Sequence, residues 1–185
     1  GVFARIMMGL AEQAPDNKTI SIDATDLKAI DGVQPTVKKG GKGRLIGLTK
    51  GGMNTKLHAI TDTSGRPIRF FITAGLPLSG ASIAVGQRVI DYTGAAALMN
   101  DLPEAEWLLA DRGYDADWFR EALQSWAKVR KKTVKYDKRR YKRRTRIERM
   151  FGRLKDWRRV ATRYDRSPTV FLSAIALAAT VIFWL

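Results

Sequence analysis

Residues 141–155 constrain the fold most, because their pattern fits a helix with one apolar face and one polar face. Ile147, Phe151 and Leu154 recur at helical spacing and predict a stripe that packs on a core. At about 100° of rotation per residue, a narrow neighbouring sector carries four polar side chains. They are Tyr141, Arg144, Glu148 and Lys155. We therefore predict a helix that is held by a core and projects a phenol, two cations and one carboxylate.

The charge of the chain is concentrated around this helix. The 185 residues carry a net charge of +15, and residues 128–163 hold 18 of the 33 basic residues but only three of the 18 acidic ones. Such a basic region favours a polyanion partner, because Lys and Arg gain affinity by releasing counterions from phosphates. A solvated basic face and a surface for acidic lipids are the alternatives. Nucleic acid is the favoured partner.

Composition limits the remaining classes. The chain has no cysteine, which excludes disulfides and Cys-based metal sites and fits a reducing cytoplasm. Residues 1–10 do not resemble a secretory signal. Residues 170–185 are almost wholly apolar but are short for a membrane span, which needs about 20 residues. Ser167 and Pro168 offer an N-cap and a first helical residue, so we predict a helix buried in a core; a membrane tail anchor is the alternative.

The rest of the chain is predicted to form one α/β domain. Patterns indicate a helix at 2–14, strands at 19–25, 53–61, 67–73 and 106–111, a basic loop at 31–52, a turn at 62–66, a helix at 116–126 and a short strand at 128–136. Three antiparallel strands are thus followed by strands that alternate with helices. This order predicts a mixed sheet flanked by helices.

Three carboxylates are candidates for chemistry. Asp23 and Asp111 are each predicted at the end of a strand, and Glu148 stands alone among cations. Converging carboxylates without Cys or His suit Mg²⁺ or Mn²⁺, and two such ions promote phosphodiester cleavage. Each residue also has a purely structural interpretation. Asp23 could bond local backbone, Asp111 could make a turn, and Glu148 could pair with Arg144.

His58, the only histidine, lies within a strand pattern, and we expect it to be structural. The other carboxylates that attract attention are expected to be loop, turn or cap residues. They are Asp26, Asp31, Asp62 and Asp115.

These motifs resemble a known family. The spacing of the four polar helix residues matches the Y-R-E-K signature of bacterial DDE transposases of insertion sequences, in the branch of families four and five. Asp23 in Ile-Asp-Ala-Thr resembles the first acidic motif of that family, and Asp111 in Leu-Leu-Ala-Asp-Arg-Gly-Tyr-Asp resembles the second. Residues 49–62 and 147–166 are similar to the family as well. The resemblance therefore covers nearly the whole chain.

The resemblance implies a ribonuclease-H-like fold in which Asp23, Asp111 and Glu148 bind two Mg²⁺ (or Mn²⁺) ions. The implied reaction is hydrolysis at the transposon ends, followed by attack of the freed 3′-OH on target DNA. Expected DNA contacts are Tyr141, Arg144, Lys155, Arg158 and Arg159. The implied partners are double-stranded DNA, as transposon ends and target, and further copies of the chain in a homodimer or higher oligomer. We expect a bacterial cytoplasmic, nucleoid-associated protein without a membrane partner.

The sequence also departs from the family pattern. Residues 76–91 look like an insertion, and a Gly-Ile strand expected after Gln124 is missing, so one strand of the sheet could be absent. We assign 1–185 to a single catalytic domain with a remnant N-terminal helix at 1–17, a basic DNA-contacting region at 128–163 and a C-terminal core helix at 168–185. These departures indicate a truncated or decayed transposase. The alternative is a non-catalytic, basic nucleic-acid-binding protein derived from one.

Overall fold

The computed structural model describes residues 1–13, 15–30, 45–49, 52–75, 102–110 and 145–185. In chain order, these residues form α1 Val2–Gln13, β1 Thr19–Ala29, β2 Gly47–Thr49, β3 Gly52–Thr61, β4 Pro67–Ala74, β5 Trp107–Ala110, α2 Thr145–Lys155, α3 Arg158–Ala161, β6 Thr162–Arg163 and α4 Pro168–Phe183.

The strands form one mixed sheet around β1. β3 pairs antiparallel with β1, and both β2 and β4 pair antiparallel with β3. β5 runs parallel to the first half of β1, and the short β6 runs parallel to its last two residues. The order β4-β3-β1-β5 is the ribonuclease-H-like arrangement of three antiparallel strands followed by a parallel one, as predicted.

The predicted apolar stripe of α2 forms part of the main core. Ile147, Phe151 and Leu154 are buried, and Met150 joins them. They cluster with Leu27 of β1 and with residues of β3, β4, α1, α3 and α4. Burying four large apolar side chains at about 1.5–3 kcal/mol each gives α2 enough driving force to stay on the sheet despite its cationic face. The helix is therefore fixed by its apolar face, as expected.

α4 packs in the core, as predicted. Ser167 occupies the N-cap position and Pro168 the first turn, as predicted, although the Ser167 side chain makes no capping hydrogen bond. Phe171 and Ile175 are fully buried, and α4 packs on α1, α2, α3 and β4. Among the described residues, no helix is both long and apolar enough to cross a membrane.

The hairpin turn between β3 and β4 contacts the start of α2. Gly65 has φ +87°, and a Cβ at this position would lie 2.9 Å from the Cβ of Arg146. The Arg146 guanidinium donates to the carbonyl oxygen of Thr63. Asp62 closes the turn by accepting from the backbone N–H and the side chain of Arg66. Turn and helix therefore form one packed unit.

Two predictions about the strands were wrong in detail. Asp23 lies in the middle of β1 and not at its end, because β3 pairs with β1 as far as Lys28 and β6 continues the pairing to Ala29. Part of the predicted basic loop is a strand, since Gly47–Thr49 pairs with the start of β3. Both differences come from strand pairing, which the residue patterns did not reveal.

Other predictions are confirmed. The helix at the N-terminus, the hairpin and the buried strand before Asp111 are all present, and the fold class is mixed α/β. The predicted helix at 116–126, strand at 128–136 and insertion at 76–91 lie outside the described residues, as does the segment after Gln124 where a strand was expected to be missing. The N-terminal helix packs against α4 and β4, so it is part of the folded core.

Candidate functional site

Asp23 is held in the sheet beside the position where the second acidic motif begins. Its side chain is 6% exposed, and its Oδ1 accepts a hydrogen bond of 2.8 Å from the backbone N–H of Ala24. The local backbone interaction considered from the sequence is thus present. In the parallel pairing of β1 with β5, Ile22 is opposite Ala110. The next residues along the two chains are Asp23 and Asp111, and Asp111 itself lies outside the described residues.

Lys155 lies beside the same strand. Its Nζ donates a hydrogen bond of 2.6 Å to Oγ1 of Thr25, which is two residues after Asp23 and therefore on the same face of β1. Burial lowers the pKa of Lys155, and the nearby Asp26 acts in the opposite direction. Asp26 in turn accepts a hydrogen bond from the side-chain amide of Asn54. The signature lysine is therefore a half-buried cation with a defined position.

Two contacts fix the course of α2 along β1. At its start, Arg146 donates to Thr63, whose hydroxyl exchanges hydrogen bonds of 2.9 and 3.1 Å with the backbone of Thr19. At its end, Lys155 binds Thr25. The helix therefore begins next to the first residue of β1 and ends next to the seventh. Glu148, exposed on the surface of α2, lies between these two contacts.

A basic pocket follows α2. It has a volume of about 510 Å³ and is lined by Arg158, Arg159 and Tyr164. Two nitrogens of the Arg159 guanidinium donate hydrogen bonds to the carboxylate of Asp165, at 3.0 and 3.3 Å. Arg158 is exposed and, within the part of the chain described, pairs with no acidic residue. Of these two predicted DNA contacts, Arg159 is therefore paired with a carboxylate, whereas Arg158 has no acidic partner among the described residues.

Arg163 was missed by the sequence reasoning. It is fully buried, and its guanidinium donates to the Thr55 hydroxyl at 2.7 Å. It also donates to three carbonyl oxygens, those of Leu45, Asp165 and Arg166. Burial lowers its pKa to about 10. Nothing in the sequence distinguishes Arg163 from its exposed basic neighbours Arg158 and Arg159, so the pattern gave no signal.

His58 is structural, as expected. Its ring is fully buried, stacks on Phe71 with centroids 4.3 Å apart, and shares a hydrogen bond of 2.9 Å with the Thr73 hydroxyl. Burial, with a smaller effect from Lys56, lowers its pKa from 6.5 to about 3. His58 is therefore neutral in the folded protein at neutral pH.

The described residues hold part of the predicted site. Asp23, Glu148, Lys155, Arg158 and Arg159 are described, and the first three belong to β1 and the helix packed on it. Asp111, Tyr141 and Arg144 lie outside the described ranges. Within those ranges, no group of three or more Asp, Glu, His or Cys residues is arranged to hold a metal ion. The donor set is nevertheless of the right chemistry, because carboxylate oxygens are the ligands that Mg²⁺ and Mn²⁺ prefer.

Comparison with known proteins identifies the family. Residues 14–183 match the family described as the transposase DDE domain. A Brucella ovis protein that carries the name of a transposase for insertion sequence element IS6501 is 33% identical over 142 residues, which are 72% of this chain and 99% of that protein. The chain therefore belongs to the family of DDE transposase domains. Within it, the chain is of the bacterial insertion-sequence type, as the resemblance implied.

Solved structures give weaker similarities. The crystal structure of the Mos1 strand transfer complex is 14% identical, with a TM-score of 0.31, and the alignment covers 98% of this chain and 61% of that one. For the catalytic domain of Mos1 mariner transposase the identity is 12% and the TM-score 0.34, with 96% and 85% covered.

Proposed function

We propose that this chain cuts phosphodiester bonds at transposon ends in a metal-dependent reaction and joins the freed 3′-OH to target DNA. Asp23, Asp111 and Glu148 are the proposed metal-binding carboxylates. Tyr141, Arg144 and Lys155 are the proposed contacts to the DNA around the cut, with Arg158 and Arg159 further along the basic region. Membership of the DDE transposase family supports the class of reaction.

The observation that carries this proposal is the hydrogen bond between Lys155 and Thr25. It joins the helix of the Y-R-E-K signature to the strand that carries Asp23. Together with the contact of Arg146 at the other end of α2, it supports a position for Glu148 alongside the stretch of β1 that leads to Asp23. The parallel register of β1 and β5 supports a position for Asp111 next to Asp23.

The metal would be Mg²⁺ or Mn²⁺, as two ions. The carboxylates of Asp23, Asp111 and Glu148 would hold them, and their oxygen donors fit hard divalent cations. When bound, such ions activate an attacking oxygen and stabilise the leaving oxygen of a phosphodiester. The small exposure of Asp23 suits this role, because a carboxylate in a rigid, largely dry environment holds a ligand in one geometry.

The protein groups would orient the DNA. In the first reaction a water oxygen bonds to phosphorus and the bond to the 3′ oxygen breaks, which leaves a 3′-OH and a 5′-phosphate. In the second, that 3′ oxygen bonds to a target phosphorus and displaces the target's own 3′ oxygen. Lys155 would place its ammonium group against a phosphate while Thr25 holds it, so the strand is positioned by a cation that does not move.

The proposed partners are transposon-end and target DNA together with a second copy of the chain, because the reaction joins two ends. The net charge of +15 supports DNA binding through phosphate contacts.

The test is nicking of a supercoiled plasmid that carries the DNA flanking this gene, with Mg²⁺ or Mn²⁺ present. Asp23→Asn, Asp111→Asn and Glu148→Gln should each reduce nicking at least about a hundredfold. Binding of uncut DNA should persist in all three. Glu12→Gln is the matched control, since it converts an exposed carboxyl on α1 to an amide.

Nicking by Asp23→Asn at the wild-type rate would contradict its role in the reaction. Salt-sensitive DNA binding by the wild type without any metal-dependent cleavage would instead support the second candidate, a non-catalytic DNA-binding protein derived from a truncated or decayed transposase.

A further inference from the structure

The short turn after β6 carries an exposed aromatic residue and is held by hydrogen bonds from two arginines. Tyr164 is 45% exposed. Behind it, the buried Arg163 donates to the carbonyl oxygens of Asp165 and Arg166 at 2.9 and 3.2 Å. On the surface, Arg159 holds the Asp165 carboxylate. Arg163 thus binds the backbone of this short turn, and Arg159 binds the side chain of one of its residues.

This rigidity has a consequence for binding. A surface turn usually loses conformational entropy when it binds a ligand, and that loss reduces affinity. Here the turn is already ordered by five hydrogen bonds from the two arginines, so less of that entropy remains to be lost when Tyr164 binds a ligand. An exposed aromatic ring on an ordered backbone is well suited to contact a ligand.

The pocket beside this ring combines the two chemistries of a nucleotide. The described residues that line it are Tyr164, Arg158 and Arg159, around a volume of about 510 Å³. That volume lies within the range of sites for small molecules. An aromatic face stacks on any base, and an unneutralised guanidinium binds phosphate. Asp165 partly neutralises Arg159, which leaves Arg158 as the phosphate ligand.

We propose that this pocket binds one unpaired nucleotide of a DNA strand, with its base on Tyr164 and its phosphate on Arg158. The nucleotide is unpaired because bases within a duplex are stacked on their neighbours on both faces. This inference rests on the proposed function in one respect, the assignment of DNA as the ligand. β6 pairs with Lys28, so the pocket adjoins the same strand as Asp23, about 17 Å further along β1.

The experiment measures binding of a short oligothymidylate and of its abasic counterpart, which has the same phosphates but no bases. A chelator is present, so cleavage plays no part. Tyr164→Ala should weaken binding of the oligothymidylate about tenfold and leave binding of the abasic strand unchanged. Tyr164→Trp should retain or improve binding. Arg158→Gln should lower the slope of log affinity against log salt by about 0.7 on both strands.

Matched controls come from α1, which lies outside the pocket. Phe3→Ala removes another exposed aromatic ring and Arg5→Gln another exposed cation, and we expect Phe3→Ala to leave both affinities unchanged. Thermal unfolding of each variant checks that the fold persists.

Several results would overturn the inference. Equal affinity of wild type and Tyr164→Ala for the oligothymidylate would exclude stacking, as would an equal loss on the abasic strand. Loss of binding in Tyr164→Trp would do the same. A change in oligomer mass without a change in oligothymidylate binding would assign Tyr164 to a contact between copies. None of these measurements involves cleavage, so their outcome does not depend on the result of the nicking test.

Discussion

Arg163 and Lys155 are both withdrawn from water at the sheet, but their surroundings differ. Arg163 is fully buried and donates to a hydroxyl and three carbonyl oxygens. Lys155 is half-buried and donates to the hydroxyl of Thr25. Burial lowers the pKa of both. The donors of Arg163 are used by protein acceptors. The ammonium group of Lys155 has three donors and makes one such bond among the described residues.

The difference separates a structural cation from a candidate ligand-binding one. A buried charge is tolerated when enough hydrogen bonds replace water, and removal of its partners is then costly. A cation with a single protein acceptor keeps donors for a phosphate. The sequence alone, with its run of basic residues, does not make this distinction.

The largest effect is expected for Arg163→Met. The substitution removes the donor to the Thr55 hydroxyl and to the carbonyl oxygens of Asp165 and Arg166, and it should reduce the free energy of unfolding by about 3 kcal/mol or more. Urea denaturation measures the loss. Arg159→Met is the matched control, because its ion pair with Asp165 is exposed and should cost less than about 1 kcal/mol. Equal losses of unfolding free energy in Arg163→Met and Arg159→Met would contradict a structural role for the buried Arg163.

His58 should produce the next largest effect, as a dependence on pH. Its pKa is about 3 in the folded chain, against 6.5 when exposed, so between these values only the unfolded chain is protonated. The free energy of unfolding should therefore fall as the pH falls, by about 2 kcal/mol between pH 7.5 and pH 5. Denaturation at a series of pH values measures this slope.

His58→Gln should lose that part of the slope, because the variant has no group that titrates there. An unchanged slope in His58→Gln would show that His58 is not buried in its neutral form. This result would also weaken the argument that burial alone lowers the pKa values of Arg163 and Lys155.

Thr25→Val should have a smaller effect, about 1 kcal/mol of unfolding free energy. The valine keeps the shape of the side chain but leaves the half-buried ammonium group of Lys155 without its acceptor. Thr25→Ser retains the hydroxyl and should be close to the wild type apart from a lost methyl group. If Ser and Val were equally destabilising, the hydrogen bond would contribute nothing to stability.

Lys155→Met should change stability least, by less than about 0.5 kcal/mol, because the charge leaves together with its desolvation cost. Its effect should appear on duplex DNA instead. The slope of log affinity against log salt should fall by about 0.9, the value for one lost phosphate contact. An unchanged slope would make Lys155 a structural cation like Arg163.

The sequence predicted the elements whose signals are local. The apolar stripe of α2, the turn chemistry at 62–66 and the apolar run of β5 all lie within short windows, and all three are present. What could not be predicted depends on which segments pair with each other in the sheet. Pairing with β3 and β6 extends β1 beyond Asp23, and pairing with β3 makes a strand of Gly47–Thr49.

The candidate site was predictable in part. Residue type and helical spacing singled out Glu148 and Lys155, and the structure packs their helix on the strand of Asp23. The role of Thr25 was not anticipated, because a threonine within the first acidic motif has no spacing signal of its own. Arg163 was not anticipated either, since burial depends on the whole fold. The roles of Asp111, Tyr141 and Arg144 stay predictions.

The contact between Gly65 and Arg146 also limits how this chain can change length. Exposed hairpin turns are normally the places where a domain accepts extra residues. In this turn a side chain at position 65 would collide with α2, and the Thr63 carbonyl is bound by Arg146. A residue inserted between Asp62 and Arg66 would therefore displace the helix that carries Glu148. For evolution or for protein engineering, this turn behaves as a fixed spacer and other surfaces are the places for insertions.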